Sequence, residues 1–357
     1  MSLDSYVTLG RSGLRLSPIT LGTMTFGEDW GWGSSAEDSA KILGDYVERG
    51  GNSIDTANSY TNGHSEKIIG DFLVARPELR DRLVLATKFF CNLYENDPNG
   101  GGPGRKAIVQ QLEASLRRLG TDYIDLYWLH NFDPATPREE TLRALDDQVR
   151  AGKIRYVGFS DVPAWATAEA ATLARWHGWS PIIALQVQYS LLERTSEGEL
   201  LPMAQAMGMG VMPWSPLHGG FLSGKYSSKS TAAVDTTRGR APSDAELVVI
   251  DAVNAVAEEL GVPSAQVALS WLRGRPGVSS IVIGARRIDQ FETNLGALEV
   301  TLSEAHRAAL DEVSAPKLNF PAENNRLLAP SLQFAGATVD GRPSTVLPLL
   351  HANSARY

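Results

Sequence analysis

The chain has 357 residues, of which 43% are hydrophobic and 21% charged, and its formal net charge is −8. This acidic balance argues against partners such as nucleic acid or anionic membrane surfaces, because both attract basic patches. Cys91 is the single cysteine, so no intrachain disulfide can form. With no apolar run of the kind that signal peptides or membrane spans require, we expect a cytoplasmic protein.

Short apolar runs and longer amphipathic segments alternate along the chain. Residues 6–17 read as two short strands around Arg11-Ser12-Gly13, which predicts a β-hairpin. Eight further strands are predicted at 19–23, 52–57, 83–88, 124–130, 156–160, 182–188, 210–214 and 280–284. Helical patterns lie between or after them at 36–51, 64–76, 105–120, 137–152, 163–178, 197–208, 244–261 and 288–298, the first capped by Ser34 or Ser35.

This alternation predicts an α/β fold with parallel strands and right-handed crossovers. Eight units favour a (β/α)8 TIM barrel over a doubly wound sheet, and no G-x-G-x-x-G fingerprint follows the first strand. We expect a single barrel domain over 1–315, its N-terminal mouth covered by the hairpin, and a C-terminal tail over 316–357. The long segments 89–104 and 215–244 are candidate walls and lids of a site at the other mouth.

Four residues with useful chemistry lie at or just after the ends of three adjacent predicted strands: Asp55, Tyr60, Lys88 and His130. One strand-end Asp or Lys is more often part of a structural ion pair, but four together predict a catalytic site. A buried carboxylate at Asp55 needs a positive partner, which Lys88 supplies, and the ammonium should lower the pKa of the Tyr60 phenol. His130 could orient a substrate carbonyl beside that phenol.

Motifs in a fixed order across most of the predicted barrel resemble the aldo-keto reductase superfamily, in particular bacterial NADPH-dependent aldo/keto reductases. The similar segments are LGTMTFG (21–27), SIDTANSY (53–60), LATK (85–88), LYWLH (126–130), GFSD (158–161), LQVQYSLLER (185–194), PWSPLHGGFLSGKY (213–226) and IVIGARRIDQFETN (281–294). The resemblance implies an NADP(H)-dependent oxidoreductase that reduces an aldehyde or ketone. Its catalytic tetrad is carried here by Asp55, Tyr60, Lys88 and His130, with Tyr60 as the proton donor. The tail from about residue 315 lies outside the resemblance.

The same resemblance implies that NADPH binds extended over the barrel mouth. It places the nicotinamide carboxamide at Ser160, Asp161 and Gln186 and the nicotinamide ring against Trp214. Asp161 departs from the commoner Asn and lacks its amide donor. The other implied cofactor contacts are Gly22, Thr23, Met24 and Asp55, then Ser215, Leu217, Gly219 and Lys225, and finally Gly284, Arg286, Gln290 and Asn294.

The segment after the last predicted strand also predicts phosphate binding on physical grounds. Gly284-Ala285-Arg286-Arg287 precedes a helix, where backbone N–H groups and the helix dipole attract anions. An arginine can pair with a 2'-phosphate in a forked geometry, which favours NADPH over NADH. Two arginines at a helix start are otherwise usually a solvated face. Between the two, the resemblance favours Arg286.

Substrate contacts are less determined by the sequence. Five aromatic residues could form an apolar rim suited to aromatic or aliphatic aldehydes and ketones, or belong to core and surface packing: Trp30, Trp32, Phe90, Tyr94 and Phe132. No metal site is expected, because the histidines other than His130 are scattered without ligand spacing, at His64, His177, His218, His306 and His351. Cys91 is interpreted as an inert thiol.

Two other functions are compatible with the pattern. A Schiff-base aldolase would use Lys88 as its nucleophile, although Asp55 beside it should keep the amine protonated. An NADPH-binding regulatory subunit of a larger complex would retain the site without relying on turnover. A homo-oligomer is compatible with all of these interpretations.

Overall fold

The structure, a computed structural model, describes residues 1–229 and 240–350, with the backbone alone at 350. Part of the predicted loop 215–244, the end of the tail 316–357 and His351 therefore lie outside the described residues. Among the described residues, no helix combines the length and the apolar character that crossing a membrane requires.

The chain begins with the predicted hairpin, in which β1 (Val7–Thr8) pairs antiparallel with β2 (Arg15–Leu16). Leu9 and Leu16 are fully buried and share an apolar cluster with Val84. The Arg11 N–H donates to the Gly208 carbonyl at 2.8 Å. The hairpin therefore covers the end of the barrel where its strands begin, as the sequence predicted.

Eight parallel strands form the barrel, and the prediction of a (β/α)8 TIM barrel is confirmed. In chain order they are β3 (Ile19–Gly22), β4 (Ser53–Asp55), β5 (Val84–Phe89), β6 (Ile124–Leu129), β7 (Ile154–Ser160), β8 (Ile182–Gln188), β9 (Gly210–Trp214) and β10 (Ile281–Ile283). Each strand from β3 to β8 pairs with the next, and β10 pairs with β3. Val211 of β9 bonds to the segment just before β10: its N–H donates to the Gly277 carbonyl at 3.0 Å, and its carbonyl accepts from the Ser279 N–H at 2.9 Å.

Ten helices of the described residues surround the barrel, and each of the eight predicted helical segments contains one of them. They are α1 (Ala36–Glu48), α2 (His64–Val74), α3 (Arg105–Leu119), α4 (Arg138–Arg150), α5 (Ala164–His177), α6 (Leu200–Met207), α7 (Asp244–Leu260), α8 (Ser264–Arg273), α9 (Ile288–Leu295) and α10 (Glu304–Val313). Ser35 caps α1 by accepting from the Asp38 N–H at 3.1 Å, which resolves the choice between the two serines.

Two of these helices, α8 and α10, were absent from the sequence prediction. Seven of the ten residues of α8 are buried, and the segment lies between a predicted helix and the last strand, where a simple alternation of strand and helix leaves no place for a second helix. In α10 the capping box pairs Ser303 with His306, whereas the usual partner at that position is Glu or Gln.

Beyond residue 315 the tail has its own short elements. They are α11 (Ala322–Leu327), α12 (Ala329–Phe334) and an antiparallel pair of β11 (Thr338–Val339) with β12 (Arg342–Pro343). Ala322 lies close to Gly198, where an added Cβ would be 3.3 Å from the alanine Cβ. The tail thus begins against the turn that precedes α6. The division into a barrel domain and a tail stays a prediction.

Candidate active site

The barrel strands place several polar side chains on the interior face of the sheet. Side chains alternate along a strand, so Lys88 follows Val84 and Ala86 of the interior cluster on the same face of β5. Asp55 is the register partner of Ala86, and Gln186 is the register partner of Met212 in that same cluster. These polar residues therefore meet near the carboxyl ends of the strands. The opening of the barrel at that end is called here the C-terminal mouth.

Asp55 and Lys88 form an ion pair that is almost completely buried, with side chains 1% and 0% exposed. The Lys88 ammonium donates to Asp55 Oδ2 and, at 2.8 Å, to the carbonyl of Thr56. Burial alone would lower the pKa of Lys88, but the negative charges of Asp55 and of an ionised Tyr60 outweigh it, and the net pKa is raised. Lys88 is therefore a cation at neutral pH.

Tyr60 begins a short 3-10 helix, Tyr60–Gly63, five residues after the end of β4. Its hydroxyl oxygen lies 3.1 Å from Lys88 Nζ. Burial raises the pKa of Tyr60, and the nearby Lys88 cation opposes that rise without cancelling it. The predicted lowering of the phenol pKa by the ammonium is present, but the net pKa lies above the ordinary value, because the cost of burying a phenolate is larger than the attraction to Lys88.

His130 directly follows β6, and its backbone N–H donates to the Phe89 carbonyl at 3.1 Å. Its ring centroid lies 6.1 Å from that of Tyr60, in an edge-on arrangement. Burial, with a smaller contribution from the Lys88 charge, lowers the pKa of His130 to about 3. The imidazole is therefore neutral at physiological pH, and one ring nitrogen carries a proton.

The structure thus brings all four predicted catalytic side chains together at the C-terminal mouth. It also gives Asp55 two partners that sequence reasoning missed. The Gln186 amide donates to Asp55 Oδ1 at 3.0 Å, while Thr23 donates its backbone N–H (2.9 Å) and its hydroxyl (3.1 Å) to the Asp55 carbonyl. No spacing rule in the sequence links residues 23, 55 and 186, because their contact depends on barrel closure.

The residues predicted to hold the nicotinamide carboxamide lie at the ends of β7 and β8. Ser160 and Gln186 are buried, whereas Asp161 is exposed at the mouth with a φ of +54°, a backbone region that Asp and Asn tolerate better than most residues. The Trp214 indole N–H donates to Asp161 Oδ1 at 3.1 Å. The surrounding protein raises the pKa of Asp161, and the bond from Trp214 partly opposes this.

The loop after β9 carries the residues expected near the pyrophosphate. Ser215 has a φ of +51°, and its hydroxyl accepts from the Gly219 N–H at 3.3 Å. Leu217 packs on the core, while Gly219 and Lys225 are exposed. The loop therefore presents backbone and a lysine to solvent near the mouth.

The two arginines after β10 differ in their surroundings. Arg287 is paired with Asp289 at 2.6 Å, whereas the half-buried Arg286 guanidinium has no ion-pair partner within residues 1–229 and 240–350. The Arg286 backbone N–H donates to Gln290 Oε1 at 3.3 Å, and Asn294 lies buried one turn further along α9. Arg286 is therefore the arginine that remains available to an anion.

The remaining predicted cofactor contacts lie where β3 and β10 pair. A Cβ at Gly22 would come within 2.7 Å of Val282, so a side chain there would crowd the neighbouring strand. Thr23 is buried, Met24 is 47% exposed and Gly284 is exposed.

Of the predicted aromatic rim, Trp30 and Trp32 pack against each other with centroids 5.5 Å apart. Their loop is held beside the start of α2, where Asp29 pairs with His64 at 2.7 Å. Phe90 is half-buried and Tyr94 is 42% exposed. Phe132 has a different environment: it packs edge-on against Trp165 of α5 at 5.6 Å, and lines an apolar cavity next to α4 and α5.

Within the part of the chain that the structure describes, no group of three or more His, Cys, Asp or Glu side chains could hold a metal ion.

Comparisons with known proteins agree with this geometry. The sequence model of the Aldo/keto reductase family matches residues 18–315. The chain is 36% identical over 317 residues to an uncharacterized oxidoreductase, YrpG, of Bacillus subtilis, covering 86% of this chain and 95% of the relative. It is 34% identical over 342 residues to versiconal hemiacetal acetate reductase of Aspergillus parasiticus (89% and 99%), and 36% identical over 319 residues to norsolorinic acid reductase stcV of Emericella nidulans (87% and 81%).

Proposed function

From the premise that this chain belongs to the aldo/keto reductase family and is an oxidoreductase, we propose that it reduces an aldehyde or ketone to an alcohol with NADPH. NADPH, when bound, would supply the hydride to the carbonyl carbon, and Tyr60 protonates the carbonyl oxygen as general acid. The relatives named as reductases support the reductive direction. The reverse oxidation would use the same residues.

The observation that carries the proposal is the contact of a buried ammonium with a phenol. Lys88 Nζ is 3.1 Å from the Tyr60 hydroxyl and is fixed on its other side by Asp55. When Tyr60 gives up its proton, the new phenolate lies beside a cation that needs no rearrangement to stabilise it. Asp55 holds the ammonium in place through the buried ion pair.

His130 has the complementary task. A neutral imidazole can donate one hydrogen bond to a carbonyl oxygen, and the position of His130 beside Tyr60 would orient that oxygen toward the phenol. Because burial holds the pKa of His130 at about 3, it does not compete with Tyr60 as a cationic acid at neutral pH.

The residues present at the mouth fit NADPH. Trp214 offers an indole face near the catalytic side chains, its edge fixed by Asp161. Arg286 offers a guanidinium with no ion-pair partner in the described residues, next to the N-terminus of α9, which suits a 2'-phosphate. When bound, NADPH supplies the hydride. Ser160, Gln186 and the loop from Ser215 to Lys225 would hold its nicotinamide and pyrophosphate ends.

The two alternatives fit the geometry less well. An aldolase needs an uncharged, accessible lysine, whereas Lys88 is 0% exposed and paired with Asp55. A regulatory subunit would not need the complete set of Asp55, Tyr60, Lys88 and His130. The partner we propose is a small carbonyl compound, bordered by Trp30, Trp32 and Phe90. The cytoplasmic location stays a prediction from the single cysteine.

The experiment is a label-transfer assay on the purified protein. NADPH deuterated at C4 of the nicotinamide is incubated with a panel of aromatic and aliphatic aldehydes and ketones, and the alcohols are analysed by mass spectrometry. We expect deuterium on the carbinol carbon of at least one product. Failure of every carbonyl compound to oxidise NADPH, or trapping of a substrate on Lys88 by borohydride without cofactor, would contradict the proposal.

A further inference from the structure

The Cys91 side chain contacts His130, a relationship that the proposed mechanism does not use. Cys91 Sγ lies 3.8 Å from His130 Nδ1, a distance suited to a hydrogen bond that involves sulfur. Within the described residues this is the hydrogen bond that the imidazole makes. The other ring nitrogen, Nε2, has no hydrogen-bond partner in the described residues. It is not fully buried, so it remains accessible.

The backbone around Cys91 is held in place by two buried amides. The Asn58 amide donates to the Cys91 carbonyl at 2.9 Å and to Gln111 Oε1 at 2.8 Å. The same Gln111 oxygen accepts from the Phe90 N–H at 2.9 Å. Asn58 and Gln111 are 1% and 3% exposed, so these hydrogen bonds are shielded from water.

The backbone conformation at Phe90 also points to a constrained segment. Phe90 has a φ of +118°, a value that is strained for a residue with a side chain. Its N–H is bonded to Gln111, and its carbonyl accepts from the Gly102 N–H at 2.7 Å. The chain therefore adopts a costly turn immediately after β5, and this turn brings the next residue, Cys91, against His130.

The contact matters because a neutral imidazole has two tautomers. If Nδ1 carried the proton, it would have only sulfur, a weak acceptor, to bond with, and Nε2 would face a substrate oxygen with a lone pair. If Nδ1 accepts from the thiol, Nε2 carries the proton and can donate to that oxygen. The hydrogen bond made by one ring nitrogen generally decides which tautomer is present.

We propose that Cys91 is a positioning residue: its S–H donates to Nδ1 of His130 and so places the imidazole proton on Nε2, the nitrogen open to the mouth. The Asn58–Gln111 amide pair positions the cysteine in turn. The inference rests on the proposed function, because an Nε2 donor is useful only if a carbonyl oxygen binds beside Tyr60.

The first test needs no substrate. The full-length protein is labelled with ¹⁵N histidine, and long-range ¹H–¹⁵N correlations are recorded near neutral pH. The chain has six histidines, and His130→Asn identifies the His130 signals by their loss. We expect a protonated Nε2 and an unprotonated Nδ1. A protonated Nδ1 would overturn the inference while leaving carbonyl reduction untouched, since label transfer tests that separately.

The second test removes the donor. In Cys91→Ala we expect the Nδ1–H tautomer to become populated and kcat/KM to fall about 2- to 10-fold, the size of one lost neutral hydrogen bond, with NADPH affinity unchanged. Cys91→Ser is the matched control, because its hydroxyl can still donate and should retain more of the original tautomer than Ala does. If His130 keeps the same tautomer in Cys91→Ala as in the unmodified protein, the inference is also overturned, whatever the activity of the variant.

Discussion

The ammonium of Lys88 lies 3.1 Å from the hydroxyl oxygen of Tyr60, and neither side chain is on the outer surface of the barrel. In this arrangement the same burial has opposite effects on the two groups. Burial disfavours the charged form of each: it raises the pKa of Tyr60, and its lowering of the pKa of Lys88 is outweighed by the charge of Asp55. Tyr60 is therefore a protonated acid and Lys88 a fixed cation before the reaction begins.

Tyr60→Phe removes the proposed acid while keeping the ring. We expect carbonyl reduction to fall by about 10²- to 10⁴-fold, the usual contribution of general acid catalysis, with NADPH binding nearly intact. Steady-state kinetics and a fluorescence titration of NADPH measure the two quantities. Unchanged turnover in this variant would remove Tyr60 from the mechanism.

The pKa shifts predict the pH dependence of reduction. Tyr60 must be protonated to act, and burial raises its pKa above the ordinary value for a phenol, so activity should persist into the alkaline range and fall only as the pH rises through that raised pKa. His130, with a pKa of about 3, should add no transition between pH 5 and 8. The test is kcat/KM measured from about pH 5 to pH 10.5. A pronounced transition near the ordinary histidine pKa would contradict this assignment.

Lys88→Met leaves the Asp55 carboxylate buried without its cation. We expect a loss of about 3–5 kcal/mol in the free energy of unfolding, as is typical when one partner of a buried ion pair is removed. Urea denaturation followed by circular dichroism measures it. The double variant Asp55→Asn with Lys88→Met should be less destabilised than Lys88→Met alone, because no buried charge remains unpaired. Equal stability of Lys88→Met and the unmodified protein would show that the pair is not buried in solution.

Arg286→Ala tests the proposed contact with the 2'-phosphate, and Arg287→Ala is its matched control. Arg287 is already paired with Asp289, so we expect its loss to change cofactor affinity little. Arg286→Ala should weaken NADPH by about 10-fold or more, equivalent to a charge-assisted hydrogen bond, while NADH affinity changes much less. Isothermal titration with both cofactors measures this. Equal losses for NADPH and NADH would exclude a 2'-phosphate role.

Asp161→Asn tests the carboxylate beside Trp214. The Asn carbonyl can still accept the indole N–H that now reaches Asp161 at 3.1 Å, so the tryptophan should keep its orientation. The negative charge is lost, however, and a nearby carboxylate favours the positively charged oxidised nicotinamide. We expect the affinity for NADP⁺ to fall several-fold relative to that for NADPH. A constant ratio of the two dissociation constants would show that Asp161 does not lie near the ring.

Local sequence specifies the strands of the barrel more closely than it specifies all of the helices. β-branched runs fixed the positions of β3 to β10 to within a few residues, because strand period and length are local properties. The placement of Asp55, Lys88 and His130 at strand ends followed from counting along those runs. The helix α8 was not predicted, since a simple alternation of strand and helix leaves no place for a second helix between β9 and β10.

The sequence by itself determined the barrel and the identity of the side chains at its mouth, because eight repeats of strand and helix leave few ways to bury their apolar faces. Only the tertiary structure decided which of those side chains touch and in what charge state. The bonds from Gln186 to Asp55 and from Cys91 to His130 join residues on different strands and loops. The pKa of Tyr60 depends on how completely water is excluded around it. Hydration and contact distance are properties of the closed barrel, and no local stretch of the chain encodes them.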